Sequence, residues 1–298
     1  MKVLLATDGS RYAGWAVELL LQFPLPAETE VTLLTALGWG GEALSNREDN
    51  LHRQAVAMVR KTNEAAAQEL VEGIRKALAP RWGDVGTWIK YGAPGAEIVE
   101  AAEAMGADLV ILGAKGLSGI KGFLLGSVAQ KVVRYAPCSV LVVKRKPEAL
   151  TKILVALDRS AYASTVVSFL EDLPLPEMTM ITLLSIVERR RHFAAGVSFN
   201  ARVELKKALD ELYRAEREAL ERVQMKAANR LQQKGQKVEM EIRGGHPSGE
   251  IIRVAQAGGF DLVVVGSKGL TGIKRFLLGS VSQKIVKYAP CSVLVVRP

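Results

Sequence analysis

Gly113, Gly116, Gly126 and Ser127 stand in the array Gly-x2-Gly-x9-Gly-Ser, and the same array returns at Gly266, Gly269, Gly279 and Ser280. Residues of these types at this spacing suit the holding of an oxyanion. Glycine lets a backbone approach a ligand without interference from a Cβ, and turn where other residues clash. The exposed N–H groups of such a turn cradle phosphate oxygens. Gly126-Ser127-Val128 and Gly279-Ser280-Val281 then open a helix, whose free amides and positive dipole end favour an anion. Lys115 and Lys268, inside the array, either add a cation to the loop or point at solvent. A second use of the serines stays open. Ser127 with Gln130, and Ser280 with Gln283, fit a Ser-x-x-Gln capping box, in which serine only starts the helix. Both uses call on one helix terminus and can coexist. Neither Walker A nor Gly-x-Gly-x-x-Gly is present in order, which disfavours P-loop ATPases and standard NAD enzymes.

The array belongs to a longer repeat. Residues 108–143 and 261–296 align at a constant offset of 153 with 28 of 36 positions identical, and Gly122 against Arg275 is the one difference that is not mild. Two copies of one module fill the 298 residues, with Pro147-Glu148-Ala149 as the natural boundary between domains 1–147 and 148–298.

The elements that must position the array read the same way in each copy. A short apolar run, Lys2–Thr7 or Lys152–Leu157, is dense enough for a strand buried on both faces. Asp8-Gly9-Ser10 or Asp158-Arg159-Ser160 follows, offering side-chain caps for a helix that proline pairs then end. A second strand is expected at Glu30–Leu37 or Thr179–Val187, then a long amphipathic helix at Asn46–Ala79 or Ala201–Lys234. In the latter, Leu205, Leu209, Leu212, Ala215, Ala219, Val223, Ala227 and Leu231 form a stripe expected to pack on the core. A third strand (Gly86–Tyr91 or Lys237–Arg243), a helix (Ala96–Met105 or Gly249–Gln256) and a fourth strand (Leu109–Leu112 or Leu262–Val265) lead into the array. A final helix and strand (Val140–Val143 or Val293–Val296) close the copy. Alternating apolar strands and helices predict two tandem doubly wound, Rossmann-like α/β domains. The array then follows the carboxyl end of strand four, where ligands bind in open α/β sheets.

Composition narrows the partners. Hydrophobic content of 49% with 24% charged residues is that of a globular protein. Met1–Ala6 is too short for the apolar core of a signal peptide and no stretch reaches membrane-span length, so a cytoplasmic protein is expected. Cys138 and Cys291, one per copy, read as buried small hydrophobes. The net charge of +9 falls almost wholly in the second half, yet no zinc-finger, helix-turn-helix or RNA-binding signature accompanies it, so nucleic acid is disfavoured as a partner. His52, His192 and His246 lie in unrelated contexts, and no carboxylates are spaced for metal or acid–base work in both copies. A dedicated enzyme is not expected.

Gly-x2-Gly-x9-Gly-Ser, a helix and then Ala-Pro-Cys-Ser-Val-Leu-Val-Val resemble the universal stress protein family, and the likeness spans nearly the whole chain as two tandem domains. It implies a five-stranded parallel sheet in each domain and ATP, or ADP or AMP, as ligand, with or without magnesium. It further implies that Asp8 and Asp158 lie by adenine and ribose, with Ala6, Thr7, Ala156 and Leu157 beside them and Ala36 and Ile186 walling the adenine. Gly113, Gly116, Gly126, Ser127 and Val128 would hold phosphates and ribose in the first copy, and Gly266, Gly269, Gly279, Ser280 and Val281 in the second. The final strands are implied to pair the two copies as a pseudo-twofold dimer, which a further homodimer could extend. Turnover is implied to be at most slow ATP hydrolysis. Two function classes follow: a nucleotide-dependent sensor of stress, or a scaffold whose long helices recruit protein partners. Arg189–Arg191, which replace the glycine-rich residues 39–41 after strand two, would favour a more highly charged nucleotide in the second copy.

Overall fold

The computed structural model describes residues 1–38, 50–117, 125–188, 199–269 and 278–298. The described residues form two compact units that divide between Glu148 and Ala149. The first contains β1 (Lys2–Ala6), α1 (Arg11–Gln22), β2 (Glu30–Leu37), α2 (Asn50–Trp82), β3 (Gly86–Tyr91), α3 (Pro94–Ala104), β4 (Leu109–Gly113), α4 (Ser127–Tyr135) and β5 (Ser139–Val143). The second repeats the series as β6 (Lys152–Ala156), α5 (Tyr162–Asp172), β7 (Met180–Val187), α6 (Phe199–Gln233), β8 (Lys237–Gly244), α7 (Pro247–Gly258), β9 (Leu262–Gly266), α8 (Ser280–Tyr288) and β10 (Ser292–Val296). Gly122, Arg275 and Arg189–Arg191 lie outside the described residues.

Within the first unit the strands run in the order β3-β2-β1-β4-β5, every neighbouring pair parallel. The second unit has the equivalent order β8-β7-β6-β9-β10, again parallel. The expected doubly wound α/β fold is thus present twice, with five described strands in each unit. The apolar runs explain why: Val3, Leu4 and Leu5 in β1, and Ile153, Leu154 and Val155 in β6, are wholly buried, so both faces of the central strand are covered. The start of β4 is fastened to the start of β1 by Asp108, whose Oδ2 accepts the N–H of Lys2 at 2.7 Å. Asp261 accepts the N–H groups of Thr151 and Lys152 in the same way, each at 3.0 Å.

The helices depart from their sequence reading in two respects. First, the stripe on α6 is not a core face along its length: Leu212 and Ala215 are exposed, and only Ala227 and Leu231, joined by Leu220 and Ala228, are buried. The same holds for α2, where Met58 and Val59 are exposed and burial begins at Ala67. Both helices outreach the strands beside them: at 1.5 Å per residue a helix of 33 or 35 residues spans about 50 Å, whereas a strand of eight spans about 26 Å. Second, the helix after the first strand is capped differently in the two units. In α1, Ser10 Oγ accepts the N–H of Ala13 at 3.3 Å, after Gly9 has turned the chain at φ +75°. In α5 the N-cap is Ala161, with no side-chain cap, because Ser160 Oγ donates to Asp158 instead.

At its other end α1 depends on α2. Arg81, in the last turn of α2, donates to the carbonyl oxygens of Leu21 at 2.6 Å and of Phe23, where the end of a helix leaves carbonyls without intrahelical donors. A charged donor to two such carbonyls contributes roughly 1–3 kcal/mol. Arg81→Ala is therefore expected to lower the melting temperature of the full chain by several degrees, with Arg81→Lys intermediate. Differential scanning calorimetry checks this, and an unchanged transition would mean water replaces the guanidinium without loss.

Candidate functional site

In each unit the carboxyl ends of the central strands open into a cavity. The first, of about 470 Å³, is bounded by the ends of β1, β2 and β4 and by the amino end of α4. The second, of about 360 Å³, is bounded by the ends of β6, β7 and β9 and by the amino end of α8. Strand order accounts for the place. β1 pairs with β2 on one side and β4 on the other, so the connections leaving β1 and β4 separate and leave a crevice between them.

The sequence-predicted residues converge there. Ala6, Thr7, Asp8, Ala36, Gly113, Lys115, Gly116, Gly126, Ser127 and Val128 all line the first cavity. Ala156, Leu157, Asp158, Ile186, Gly266, Lys268, Gly269, Gly279, Ser280 and Val281 all line the second. Thr7 and Asp8 directly follow β1, and Gly113 ends β4, so strand register brings residues about a hundred positions apart in sequence to one rim. Sequence reasoning missed Leu34, Pro94 and Ile98 in the first cavity. Leu34 was legible, since it stands two residues before Ala36 and side chains at i and i+2 share a strand face. Glu216 and His246 were missed in the second cavity. Nothing in the spacing announces Glu216, which comes from the long helix α6. His246 sits at the N-cap of α7 with Nδ1 3.1 Å from Ser248 Oγ.

Asp8 organises the first site. Its Oδ1 accepts the N–H of Ser10 at 3.0 Å, a local turn, while its Oδ2 accepts the N–H of Leu117 at 3.0 Å across the crevice. Ser10 Oγ also donates to the carbonyl of Lys115 at 3.2 Å. The turn after β1 and the glycine loop after β4 are therefore one hydrogen-bonded unit. Asp158 makes the equivalent local bond, accepting the N–H of Ser160 at 2.9 Å.

The glycines are needed for this closeness. A Cβ on Gly116 would fall against Oδ2 of Asp8, and one on Gly269 would lie 2.8 Å from Oδ2 of Asp158. A Cβ on Gly113 would lie 2.7 Å from the backbone of Tyr12, so that glycine also lets α1 pack against the end of β4. The N–H of Gly126 donates to the carbonyl of Ala114, and that of Gly279 to Ser267, each at 2.8 Å, closing the loop at the helix entry.

The capping-box reading of the serines does not hold. Gly126 and Gly279 are the N-caps, neither helix has a side-chain cap, and Ser127 and Ser280 are the first helical residues. Gln130 and Gln283 reach past them to the carbonyls of Leu125 and Leu278, at 3.0 and 3.1 Å. A glycine N-cap places the serine one residue too late to bond the first-turn amides, and Ser127 and Ser280 line the cavities at the positive ends of these helices. Lys115 and Lys268 fold back over tyrosine rings, their Nζ atoms 5.9 Å from Tyr12 and 5.6 Å from Tyr162. Titration is displaced elsewhere: the Tyr91 hydroxyl and then Arg60 hold Glu64 below the usual carboxylate range, and Arg253 does the same for Glu250. Neither carboxylate lines either of these two cavities.

A model of the universal stress protein family matches residues 1–144 and again residues 150–297. The chain belongs to the universal stress protein family. A Staphylococcus haemolyticus relative whose name places it among universal stress proteins is 30% identical over 145 residues, which are 48% of this chain and 83% of the relative. A universal stress protein from Archaeoglobus fulgidus shares the fold at a TM-score of 0.61 and 18% identity, covering 99% of this chain and 98% of its own. A functionally unknown Pseudomonas aeruginosa protein, PA1789, does so at 0.64 and 19%, covering 100% and 92%. The tandem universal stress protein domains thus each carry the glycine array at the mouth of a cavity. No helix among the described residues is long and apolar enough to cross a membrane, and no described cluster of three or more His, Cys, Asp or Glu could hold a metal ion.

Contact between Gly116 and Asp8 has a measurable consequence. Gly116→Ala must displace the Asp8 carboxylate and is expected to cost roughly 1–3 kcal/mol, as overpacking does. In an Asp8→Ala background the same change should cost far less. Urea unfolding of the four proteins checks the coupling, and simple additivity would show that the two residues do not compete for space.

Proposed function

We propose that the protein is an adenine-nucleotide-binding sensor of the stress response, with one site in each repeat. The observation that carries this reading is the convergence of all ten expected residues of each repeat on one cavity, with an uncapped serine and a helix amino end facing it. Cavities of about 470 and 360 Å³ fall within the roughly 300–1,000 Å³ of small-molecule sites.

The residues fit such a ligand from end to end. Asp8 offers a carboxylate to ribose hydroxyls, and Ala6, Thr7, Leu34 and Ala36 give the base an apolar wall. Ser127, the Gly113–Gly116 turn and the first-turn amides of α4 provide donors for phosphate oxygens without a lysine at their centre. Lys115 contributes long-range positive charge from the flank. The second repeat presents Asp158, Ser280, the Gly266–Gly269 turn and α8 in the same order. ATP, ADP or AMP satisfies this donor set, and a magnesium ion would come with the phosphates, since the protein offers them hydrogen-bond donors. Occupancy rather than turnover is read as the output, with slow hydrolysis at most. A second reading, an interaction scaffold, draws on the exposed Met58, Val59 and Leu212 of the outreaching helices.

Calorimetric titration of ATP with Mg²⁺ into nucleotide-stripped protein is expected to show binding that Asp8→Ala with Asp158→Ala removes. Ser127→Ala with Ser280→Ala should weaken ATP by about tenfold or more and adenosine little, because hydrogen bonds to charged groups contribute roughly 1.5–3 kcal/mol. Absence of binding at millimolar nucleotide would overturn this reading and leave the scaffold in front.

A further inference from the structure

The two cavities share a phosphate end and differ at the base end. Among the described residues the phosphate ends correspond: Gly126 and Gly279 close their loops with bonds of the same 2.8 Å length, and Ser127 and Ser280 occupy the same first helical position. The other end is walled by the last residues of β1 and β2, or of β6 and β7. Leu34 and Ala36 share a face of β2, and Leu184 and Ile186 share the corresponding face of β7; all four line their cavities. Ile186 therefore brings a branched four-carbon side chain to a place where Ala36 brings a methyl group.

The residue after the central strand differs in kind as well. Thr7 is buried, and its Oγ1 accepts the N–H of Gly9 at 3.3 Å, which leaves the hydroxyl proton for an acceptor in the cavity. Leu157, equally buried, has no polar atom to offer. At the amino end of the crossing helix, His246 and buried Ser248 line the second cavity where Ala93 and Gly95 stand in the first repeat. Each exchange adds bulk, and the second cavity is the smaller, about 360 Å³ against about 470 Å³.

We infer that the second repeat is the weaker nucleotide site, holding phosphates with the same described residues as the first but with less room for the base. Ile186 and Leu157 set this difference. The inference rests on the nucleotide reading above. Its consequence is a protein whose repeats fill over separate concentration ranges: the first saturates while nucleotide is scarce, and the second follows its rise.

The test is calorimetry of the full chain with ATP and Mg²⁺, alongside inorganic tripolyphosphate as a probe without a base. Wild type should show two classes of ATP site about tenfold apart in Kd, a gap of about 1.4 kcal/mol, because the added carbons crowd the base in the second cavity. Ile186→Ala with Leu157→Thr should tighten the weaker class towards the stronger. Ala36→Ile should weaken the stronger class by about tenfold or more. Tripolyphosphate should bind both sites alike. Thermal unfolding establishes that each variant is folded, and Ile186→Ala alone serves if the double variant is not. Equal classes in wild type, an unchanged gap after Ile186→Ala, or a gap that persists with tripolyphosphate would overturn the inference while leaving nucleotide binding intact. Absence of ATP binding at both sites overturns both readings.

Discussion

A parallel sheet whose central strand is flanked on both sides constrains everything else in each repeat. β1 hydrogen-bonds to β2 and to β4, so the chain must return to its centre after building outwards, and crossovers of one hand carry the two connections apart. The carboxyl ends of β1 and β4 are consequently side by side with nothing threaded between them. A crevice there follows from the strand order, and the register that sets Ala6 beside Leu112 decides which residues meet across it. Burial on both faces keeps this strand at the centre of the sheet, because Val3–Leu5 have no polar face to turn outwards.

Across the crevice the stakes fall on Asp8. One carboxylate oxygen makes the turn after β1, and the other holds the amide of Leu117 beyond the glycine loop. The same close approach explains why glycine stands at 116, where a methyl group would displace the carboxylate. A group that stiffens the loop and also faces the cavity couples ligand contact to loop geometry: whatever bonds to Asp8 competes with Leu117 for it. In the second repeat the turn after the first strand is built differently. Arg159 replaces Gly9, whose backbone lies at positive φ, and Ser160 turns from capping its helix to bonding Asp158. Sequence identity in the glycine array thus conceals a different turn opposite it.

Much of this was legible before the fold was seen. The apolar runs Lys2–Thr7, Leu109–Leu112 and their repeats read as strands, the first of them dense enough to be covered on both faces, and the glycine arrays read as loops between a strand and a helix. The site residues were reachable because they cluster at the ends of those runs. Less legible were Leu34, Glu216 and His246, which enter the cavities by packing rather than by motif. Two readings failed for physical reasons. The stripe on α6 has the right period, but periodicity does not say how far a neighbouring sheet extends, and α6 outruns it. Ser127 and Gln130 have capping-box spacing, yet glycine at 126 takes the cap position itself and shifts the serine into the helix.

By itself, then, the sequence determined what depends on local and periodic order: two copies of one module, strands and helices in alternation, and glycine loops beside an acidic turn. Only the tertiary structure decided what depends on distance across the chain. It made Asp8 a link between two loops, freed Ser127 and Ser280 from capping, left half of each long helix uncovered, and gave the repeats cavities of different size. These were out of reach of the sequence because hydrogen bonds and steric contacts are fixed at tenths of an ångström between residues a hundred positions apart. A repeat at constant offset guarantees only that the same elements recur, not that their side chains meet in the same way.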